Sequence, residues 1–99
     1  MLFPVSVTAN SQIGTANPLG AFPAQRLWKI RVPTGVAVNL RNGDVTGTIL
    51  DTIDNSAAGG VDLDVEYGEG LTFSDAMFVQ YTAGSGTKVT CFFDGAQPA

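Results

Sequence analysis

The residues from 61 to 67, VDLDVEY, alternate without interruption between apolar and acidic side chains. A period of two is typical of a β-strand with one buried face, because successive side chains of a strand point to opposite sides. Other short alternating runs, broken by glycine and proline, occur through most of the chain. No long window shows apolar residues at the 3.6-residue spacing of a helix. The alternation therefore predicts an all-β chain.

Chain length limits this prediction to one domain. In 99 residues, a second domain would be too small to bury a core of its own. Short alternating runs separated by turn residues are typical of an antiparallel β-sandwich or jelly-roll-like domain, here of roughly seven to eight strands. We expect a single domain over residues 1–99, with its β core at residues 26–94.

The segment 9–25, ANSQIGTANPLGAFPAQ, differs from the alternating runs around it. It is rich in Asn, Gly, Ala and Pro, and its prolines remove backbone donors and favour extended geometry. We expect an extended arm or long loop here, anchored by the isolated apolar residues Ile13, Leu19 and Phe22. Two placements stay open: packing on the chain's own domain, or reaching a neighbouring subunit.

A first hairpin is predicted around Asn42 and Gly43, because a two-residue type I′ turn needs positive φ at both positions and favours this dipeptide. That turn sets Leu40 opposite Val45 and places the apolar side chains of both strands on one face. A shift by one residue would set Leu40 against an acid. The two-residue turn is therefore the predicted register.

A second hairpin is predicted at residues 77–93, with a Gly-Ser-Gly loop at residues 84–86. Its register places Met77, Val79 and Cys91 on a core face. On the other face, which is otherwise polar, Phe78 lies opposite Phe92. Exposed apolar clusters rimmed by polar residues mark contacts with other proteins. These two rings are thus predicted to be a docking surface.

Two strands carry rows of one charge sign. Asp62, Asp64 and Glu66 share the outward face of one strand, and Lys29 and Arg31 share that of another. If the strands are neighbours in one sheet, opposite charges stabilise the pairing slightly. If they lie on separate edges, the rows suit complementary contact between subunits, where charge sets register more than affinity.

Metal and enzyme chemistry are not expected. Same-face residues of a strand stand ~6.6 Å apart, so the acidic row does not converge on one ion. The chain has no His, and its single Cys91 excludes an internal disulfide and falls on a core face, which predicts an inert buried thiol. The GSGTK stretch at 84–88 lacks the spacing of a phosphate-binding loop. We expect no cofactor and no enzyme activity.

Charge and hydropathy exclude further classes of partner. Nine acidic and five basic residues give a net charge of -4, without the basic stripe of a nucleic-acid-binding protein. No apolar run approaches the ~20 residues that span a bilayer. The first residues, MLFPVSV, lack the basic and long apolar regions of a signal peptide. We expect no nucleic-acid partner, no membrane association and no secretion.

Residues 71–93, LTFSDAMFVQYTAGSGTKVTCFF, resemble the closing segment of many small all-β virion proteins of tailed bacteriophages. In those proteins an apolar-x-Phe strand leads into a final hairpin with a Gly/Ser/Thr-rich tip and an aromatic last strand. The composition, rich in Thr, Gly, Ala and Asn with little Lys, is similar too. The resemblance implies a head decoration (cement) protein, or a small fibre or spike component. Such a protein is made in the host cytoplasm and binds the capsid or tail surface of the virion as an oligomer.

The sequence therefore predicts a non-enzymatic structural protein that binds protein subunits: copies of itself in a homo-oligomer, a major capsid protein, or a tail protein. The predicted contact residues are Phe78, Phe92, Lys29, Arg31, Asp62, Asp64, Glu66, Ile13, Leu19 and Phe22. One alternative is a carbohydrate-binding β-sandwich module that stacks sugars on Trp28 or Tyr67, although both are assigned to core faces. Another is a small calcium-stabilised domain.

Overall fold

The computed structural model of the protein describes residues 3–14, 24–57, 60–73 and 76–95. These residues contain no helix and form eight strands: β1 (Phe3–Val7), β2 (Ser11–Gly14), β3 (Ala24–Val32), β4 (Val36–Asn42), β5 (Ile49–Asn55), β6 (Leu63–Thr72), β7 (Ala76–Ala83) and β8 (Val89–Gly95). Accordingly, that part of the chain has no helix with the length and apolarity needed to cross a membrane. The prediction of an all-β chain is confirmed.

The eight strands form two antiparallel sheets of four. Sheet I has the order β1-β8-β3-β6, and sheet II has the order β2-β7-β4-β5. Only β4 and β5 are neighbours both in sequence and in a sheet; every other connection crosses from one sheet to the other. The arrangement is compatible with the predicted β-sandwich, and the strand count is at the upper end of the expected range.

The core contains side chains from both sheets in one buried cluster. On β4, β7 and β8 the fully buried side chains occupy alternate strand positions, as the period-two pattern requires, whereas on β3 the spacing changes between Leu27 and Ile30. Those with 0% exposure are Ile13, Leu27, Ile30, Val32, Val36, Val38, Leu40, Met77, Val79, Val89, Cys91 and Phe93. The inward faces predicted for β7 and β8 are confirmed, because Met77, Val79 and Cys91 are all buried.

The predicted register of the first hairpin is wrong. The strands pair, but Leu40 lies opposite Asp51, and residues 43–48 form the connection. Val45, which should have faced Leu40 in the core, is 46% exposed, and Ile49 is 45% exposed. The buried apolar residue of β5 is instead Ile53, which lies opposite Val38.

Local hydrogen bonds explain the longer connection. Gly43 does adopt positive φ (87°), but its amide donates to the Ala76 carbonyl at 2.8 Å, which keeps this part of the chain beside β7. Further on, Asp44 accepts hydrogen bonds from the amide and the hydroxyl of Thr46 at 2.9 and 2.7 Å. The Gly47 amide donates to the Asp44 carbonyl at 2.9 Å. The chain therefore turns at 44–47, after the Asn-Gly dipeptide.

The second hairpin does not form, because β7 belongs to sheet II and β8 to sheet I. The connection at 84–88 carries the chain between the sheets, and the Gly86 amide donates to the Thr8 carbonyl at 2.7 Å. In this position β8 pairs with β1 on one side and β3 on the other. Because β8 has a partner strand on each side, the backbone groups on both of its sides are hydrogen-bonded. The predicted hairpin would pair β8 with β7 only and need not satisfy its other side.

Part of the predicted arm belongs to the β core. Residues 11–14 form β2, which pairs with β7, and Ile13 lies opposite Met77 with 0% exposure. Placing Ile13 at a contact with another subunit was therefore wrong, because its side chain is enclosed by its own domain. Strand β3 also begins two residues before the predicted core, at Ala24. Leu19 and Phe22 lie outside the described residues.

Candidate protein-contact surfaces

The outward face of sheet I presents two rows of side chains that run across all four strands. In each row, neighbouring members lie opposite each other on adjacent strands. The first row is Pro4, Phe92, Lys29 and Glu66, and the second is Ser6, Thr90, Arg31 and Asp64. We call these eight residues the sheet I face. It contains five of the ten predicted contact residues.

Phe92 is the aromatic centre of the sheet I face. Its chain neighbours Cys91 and Phe93 are fully buried, so alternation directs Phe92 outward, where it is half-buried. Pro4 lies on one side of it and Lys29 on the other, and the Lys29 ammonium is 5.4 Å from the ring centroid. A cation over an aromatic face contributes roughly 0.5–1 kcal/mol at an exposed site. The sheet I face thus holds an apolar platform beside a cation.

The two charged rows lie side by side, not on separate edges. Arg31 donates two hydrogen bonds to the Asp64 carboxylate, at 2.8 and 3.1 Å, and Lys29 lies 3.6 Å from the same carboxylate. The Arg31 guanidinium lowers the pKa of Asp64, and Asp64 raises the pKa of Arg31. Lys29, Arg31 and Asp64 therefore compensate one another within the chain, whereas Asp62 and Glu66 are exposed, and their contact with another subunit stays a prediction. Asp62 is exposed and precedes the strand.

Trp28 does not lie on the predicted core face. The register of β3 shifts between Leu27 and Lys29 in its pairing with both neighbours, and Leu27 takes the buried position. Trp28 is half-buried and lies outside the core cluster, with the Arg26 guanidinium 5.8 Å from its ring centroid. A Cβ atom on Gly70 would lie 3.3 Å from the indole ring, so the strand backbone passes close to it. The β-bulge has moved Trp28 outward.

Phe78 lies on the outward face of the other sheet. It is half-buried on β7 of sheet II, with Gln12 on one side and Arg41 on the other. Arg41 Nε donates to Gln80 Oε1 at 2.9 Å, so neutral amides and one guanidinium surround the ring. Phe78 and Phe92 therefore face away from each other on opposite sides of the sandwich. The expected aromatic pair is wrong, and the two rings belong to separate surfaces.

Two tyrosines connect the sheets. The Tyr67 hydroxyl donates to Asp51 Oδ2 at 2.6 Å, and the Tyr81 hydroxyl lies 2.9 Å from the Val7 carbonyl and 2.7 Å from the Thr87 carbonyl. Burial raises the pKa of both tyrosines. Tyr67 is half-buried and packs against the core, as the alternation of its strand predicts.

Burial raises the pKa of the Cys91 thiol to about 12, so it is protonated at neutral pH. The prediction that Cys91 is buried is confirmed, and the lack of reactivity that burial implies stays a prediction. In the part of the chain that the structure describes, no group of three or more His, Cys, Asp or Glu side chains is placed to hold a metal ion.

Comparisons with protein-family models, curated proteins and solved structures found no match to this chain.

Proposed function

We propose that this chain is a non-enzymatic, jelly-roll structural protein of a virion, which binds neighbouring protein subunits through the sheet I face. The strand orders β1-β8-β3-β6 and β2-β7-β4-β5 support the jelly-roll part of the proposal. In a jelly roll of eight strands, sheet-crossing connections build two Greek keys, an architecture used by viral capsid and lectin domains. Fold alone does not define function, so the rest of the proposal depends on the surface.

The observation that carries the binding proposal is the outward position of Phe92 on a central strand. An aromatic ring on a flat sheet offers large apolar area at little entropic cost, and aromatic side chains dominate binding energy at protein interfaces. The β1 side of the ring is uncharged, with Pro4 and Ser6, and Ser6 is hydrogen-bonded to Thr90 at 3.0 Å. These groups are removed from water at smaller cost than unpaired charges.

The paired charges on the other side of Phe92 favour the same interpretation. Because Asp64 is already bound by Arg31 and Lys29, covering this half of the face leaves no isolated ion among the three. A buried charge that lacks a partner opposes association, whereas a charge with its partner beside it opposes association much less. The sheet I face thus combines an apolar centre with three charges that compensate one another, and the exposed carboxylate of Glu66 lies at its edge, on β6.

Mass in solution tests the binding proposal. We expect the wild-type chain to form a homo-oligomer in sedimentation velocity experiments, and Phe92→Ser to shift it toward the monomer while the circular dichroism spectrum stays unchanged. Phe78→Ser is the matched control, because it removes the same ring from the opposite sheet. A wild-type chain that stays monomeric up to about 1 mM, the range of weak complexes, would contradict self-association through this face.

A separate experiment tests the virion part. We expect the native chain, taken from its source, to co-sediment with large particles in a sucrose gradient and to be accessible on their surface to an antibody against the chain. Recovery only from the low-mass fractions would contradict a structural role in a particle.

One observation favours a carbohydrate-binding module as the second candidate. Trp28 lies outside the core cluster, and aromatic rings of this kind stack on sugars. The Arg26 guanidinium over the ring opposes stacking unless it moves. On a glycan array, binding that Trp28→Ala abolishes and Phe92→Ser leaves unchanged would favour this candidate over the first. A melting temperature that rises with added calcium would instead favour the calcium-stabilised domain.

A further inference from the structure

Strand β6 forms one edge of sheet I and is the longest strand among the described residues, with ten residues. Its residues 63–66 pair in regular register with β3. In an antiparallel pair, alternate backbone N–H and C=O groups of an edge strand point away from the neighbouring strand. The β6 edge therefore presents a row of donors and acceptors that an added strand can pair with.

The other three edges are less suited to such pairing. Strand β1 carries Pro4, which has no N–H to donate, and β2 has only four residues. On β5 the amide of Thr52 donates to the Asp51 carboxylate at 2.9 Å, so this donor is already occupied. Proline, short length and occupied donors keep sheet edges from pairing with other chains. Between residues 63 and 66, strand β6 has no proline, and its exposed acids Asp64 and Glu66 disfavour acidic partners and leave the edge suited to a basic one.

Side chains at the β6 edge define what kind of strand fits. Val61 is 72% exposed and Leu63 is 39% exposed, so two large apolar side chains at the start of this edge are poorly covered. Asp62 and Glu66 are exposed acids, and Asp64 is also acidic but bound to Arg31. An added strand that alternates apolar and basic residues would cover Val61 and Leu63 with its apolar side chains on one face of the sheet. Its basic side chains would lie beside the carboxylates on the other face.

We propose that the β6 edge binds an extended segment of another protein in which Lys or Arg alternates with apolar residues, adding it to sheet I as a fifth strand. A second copy of β6 is a poor occupant, because its own acidic row would lie against this one. The alternating basic segment of this chain is β3, which already lies inside sheet I. The proposal goes beyond the function proposed above, since it concerns the backbone edge of β6, shares only Asp64 and Glu66 with the sheet I face and needs no contact at Phe92.

The regular part of the edge sets the length of the bound segment. Beyond Glu66 the pairing with β3 shifts, and Gly70 adopts a φ of 78°, which an extended strand does not use. We therefore expect backbone pairing with residues 63–66, side-chain contact with Val61, and no contact with the last part of β6. A short blocked peptide in which Val and Lys alternate is a suitable probe.

Backbone NMR with hydrogen exchange tests the proposal. On titration with the Val-Lys peptide, we expect saturable shifts at residues 61–66 and exchange slowed about tenfold or more at alternate amides of residues 63–66, since only those point outward. The control peptide has the same sequence with alternate N-methylated bonds, so it keeps the charge and loses the donors. Equal binding of both peptides, or shifts confined to other strands, would overturn the proposal.

Two charge-reversal variants distinguish addition of the peptide as a strand from attraction of the basic peptide to the net negative charge of the chain. Glu66→Lys and Glu69→Lys change the net charge equally, but Glu69 lies beyond the regular edge. We expect the first to weaken peptide binding about tenfold and the second by no more than about twofold. Equal effects would indicate attraction to net charge alone and contradict the proposal. The Phe92→Ser variant should bind the peptide as the wild-type chain does. A failure of the β6-edge proposal can therefore be distinguished from a failure of self-association through the sheet I face.

Discussion

The hydroxyl of Tyr67 donates a 2.6 Å hydrogen bond to the carboxylate of Asp51, and this bond joins an edge strand of sheet I to an edge strand of sheet II. The Tyr81 hydroxyl makes the corresponding link from sheet II to the Val7 carbonyl of β1, at the other edge of sheet I. The two sheets are therefore connected by polar bridges on both sides of the apolar core. These bridges bear on stability and on its dependence on pH.

Removing the first bridge should cost stability. Tyr67→Phe deletes the donor and leaves the ring in place, and we expect a loss of about 1 kcal/mol in the free energy of unfolding, because a hydrogen bond to a charged group at a half-buried site is involved. Urea denaturation measures it. Asp51→Ala, which removes the acceptor, and the double variant complete a double-mutant cycle, in which the loss of stability in the double variant should be smaller than the sum of the two single losses. Fully additive losses would show that the two groups are not coupled.

Stability should fall in alkaline solution. The pKa of Cys91 is raised by burial from about 8.5 in unfolded chains to about 12. The contribution of Cys91 to the free energy of unfolding is therefore complete below about pH 8.5 and decreases as pH rises toward 12. The reason is that the thiol of the unfolded chain loses its proton at lower pH than the thiol of the folded chain. The raised pKa of Tyr67 acts in the same direction above about pH 10.

Urea denaturation between pH 7 and 11 measures this decline, and Cys91→Val should flatten its first part. A thiol reagent should label Cys91 only after unfolding, since its side chain is 0% exposed. Rapid labelling of the native protein would contradict the burial of the thiol.

Acid should weaken the link between β3 and β6. The pKa of Asp64 is lowered, chiefly by its hydrogen bonds with Arg31, so its contribution is present above the unfolded value of about 3.9 and is lost as pH falls through the lower folded value. We expect Asp64→Asn to reduce the slope of stability against pH below about pH 4. Asp62→Asn, which removes the same charge without a hydrogen bond to Arg31, serves as the control. Identical slopes for the two variants would contradict a role of the Arg31 pair in acid sensitivity.

The glycines at the β7–β8 connection should differ in their tolerance of alanine. Gly84 and Gly86 both adopt positive φ, 75° and 100°. A Cβ at Gly84 would lie 2.5 Å from the Gly35 carbonyl oxygen, whereas one at Gly86 would meet nothing within 4 Å. We expect Gly84→Ala to cost at least about 1 kcal/mol more than Gly86→Ala in thermal or urea denaturation, because only the first adds a clash to backbone strain. Equal costs would mean that the connection relaxes freely.

The register of the first hairpin can be checked by paired truncations. Leu40→Ala removes a fully buried side chain and should cost about 2–5 kcal/mol. Val45→Ala changes an exposed residue and should stay within about 0.5 kcal/mol. The two-residue turn expected from Asn-Gly predicts instead that both residues share the core. A large loss for Val45→Ala would favour that register.

Much of the fold is contained in local patterns. Alternation correctly assigns Met77 and Val79 to the core, and Cys91 and Phe93 likewise, because the period of two depends only on the strand itself. It does not identify the partner of each strand. A Gly-Ser-Gly connection fits a hairpin within one sheet and a crossing between two sheets equally well. Packing between distant segments decides the outcome.

For the surface, too, the sequence predicts which face of a strand a residue occupies, but not which strands lie beside it. The outward position of Phe92 follows from alternation, but its separation from Phe78 depends on which sheet each strand joins. Trp28 was misplaced because a β-bulge inserts one residue and reverses the faces on one side of it. The sequence offers a weak signal for this bulge in Gly68 and Gly70, on the strand opposite. The pairing of Arg31 with Asp64 depends on β3 and β6 being neighbours, which requires long-range information.

The position of β8 between β1 and β3 has a consequence for biosynthesis. Phe3 pairs with Phe93, so the backbone groups of β1 have no partner strand until β8 has been synthesised. A ribosome must therefore deliver residues up to about 95 before sheet I can close, and until then the apolar side chains of β1 and β3 lack the strand that lies between them. Because such distant pairings close large loops, we expect slow refolding, in milliseconds to seconds.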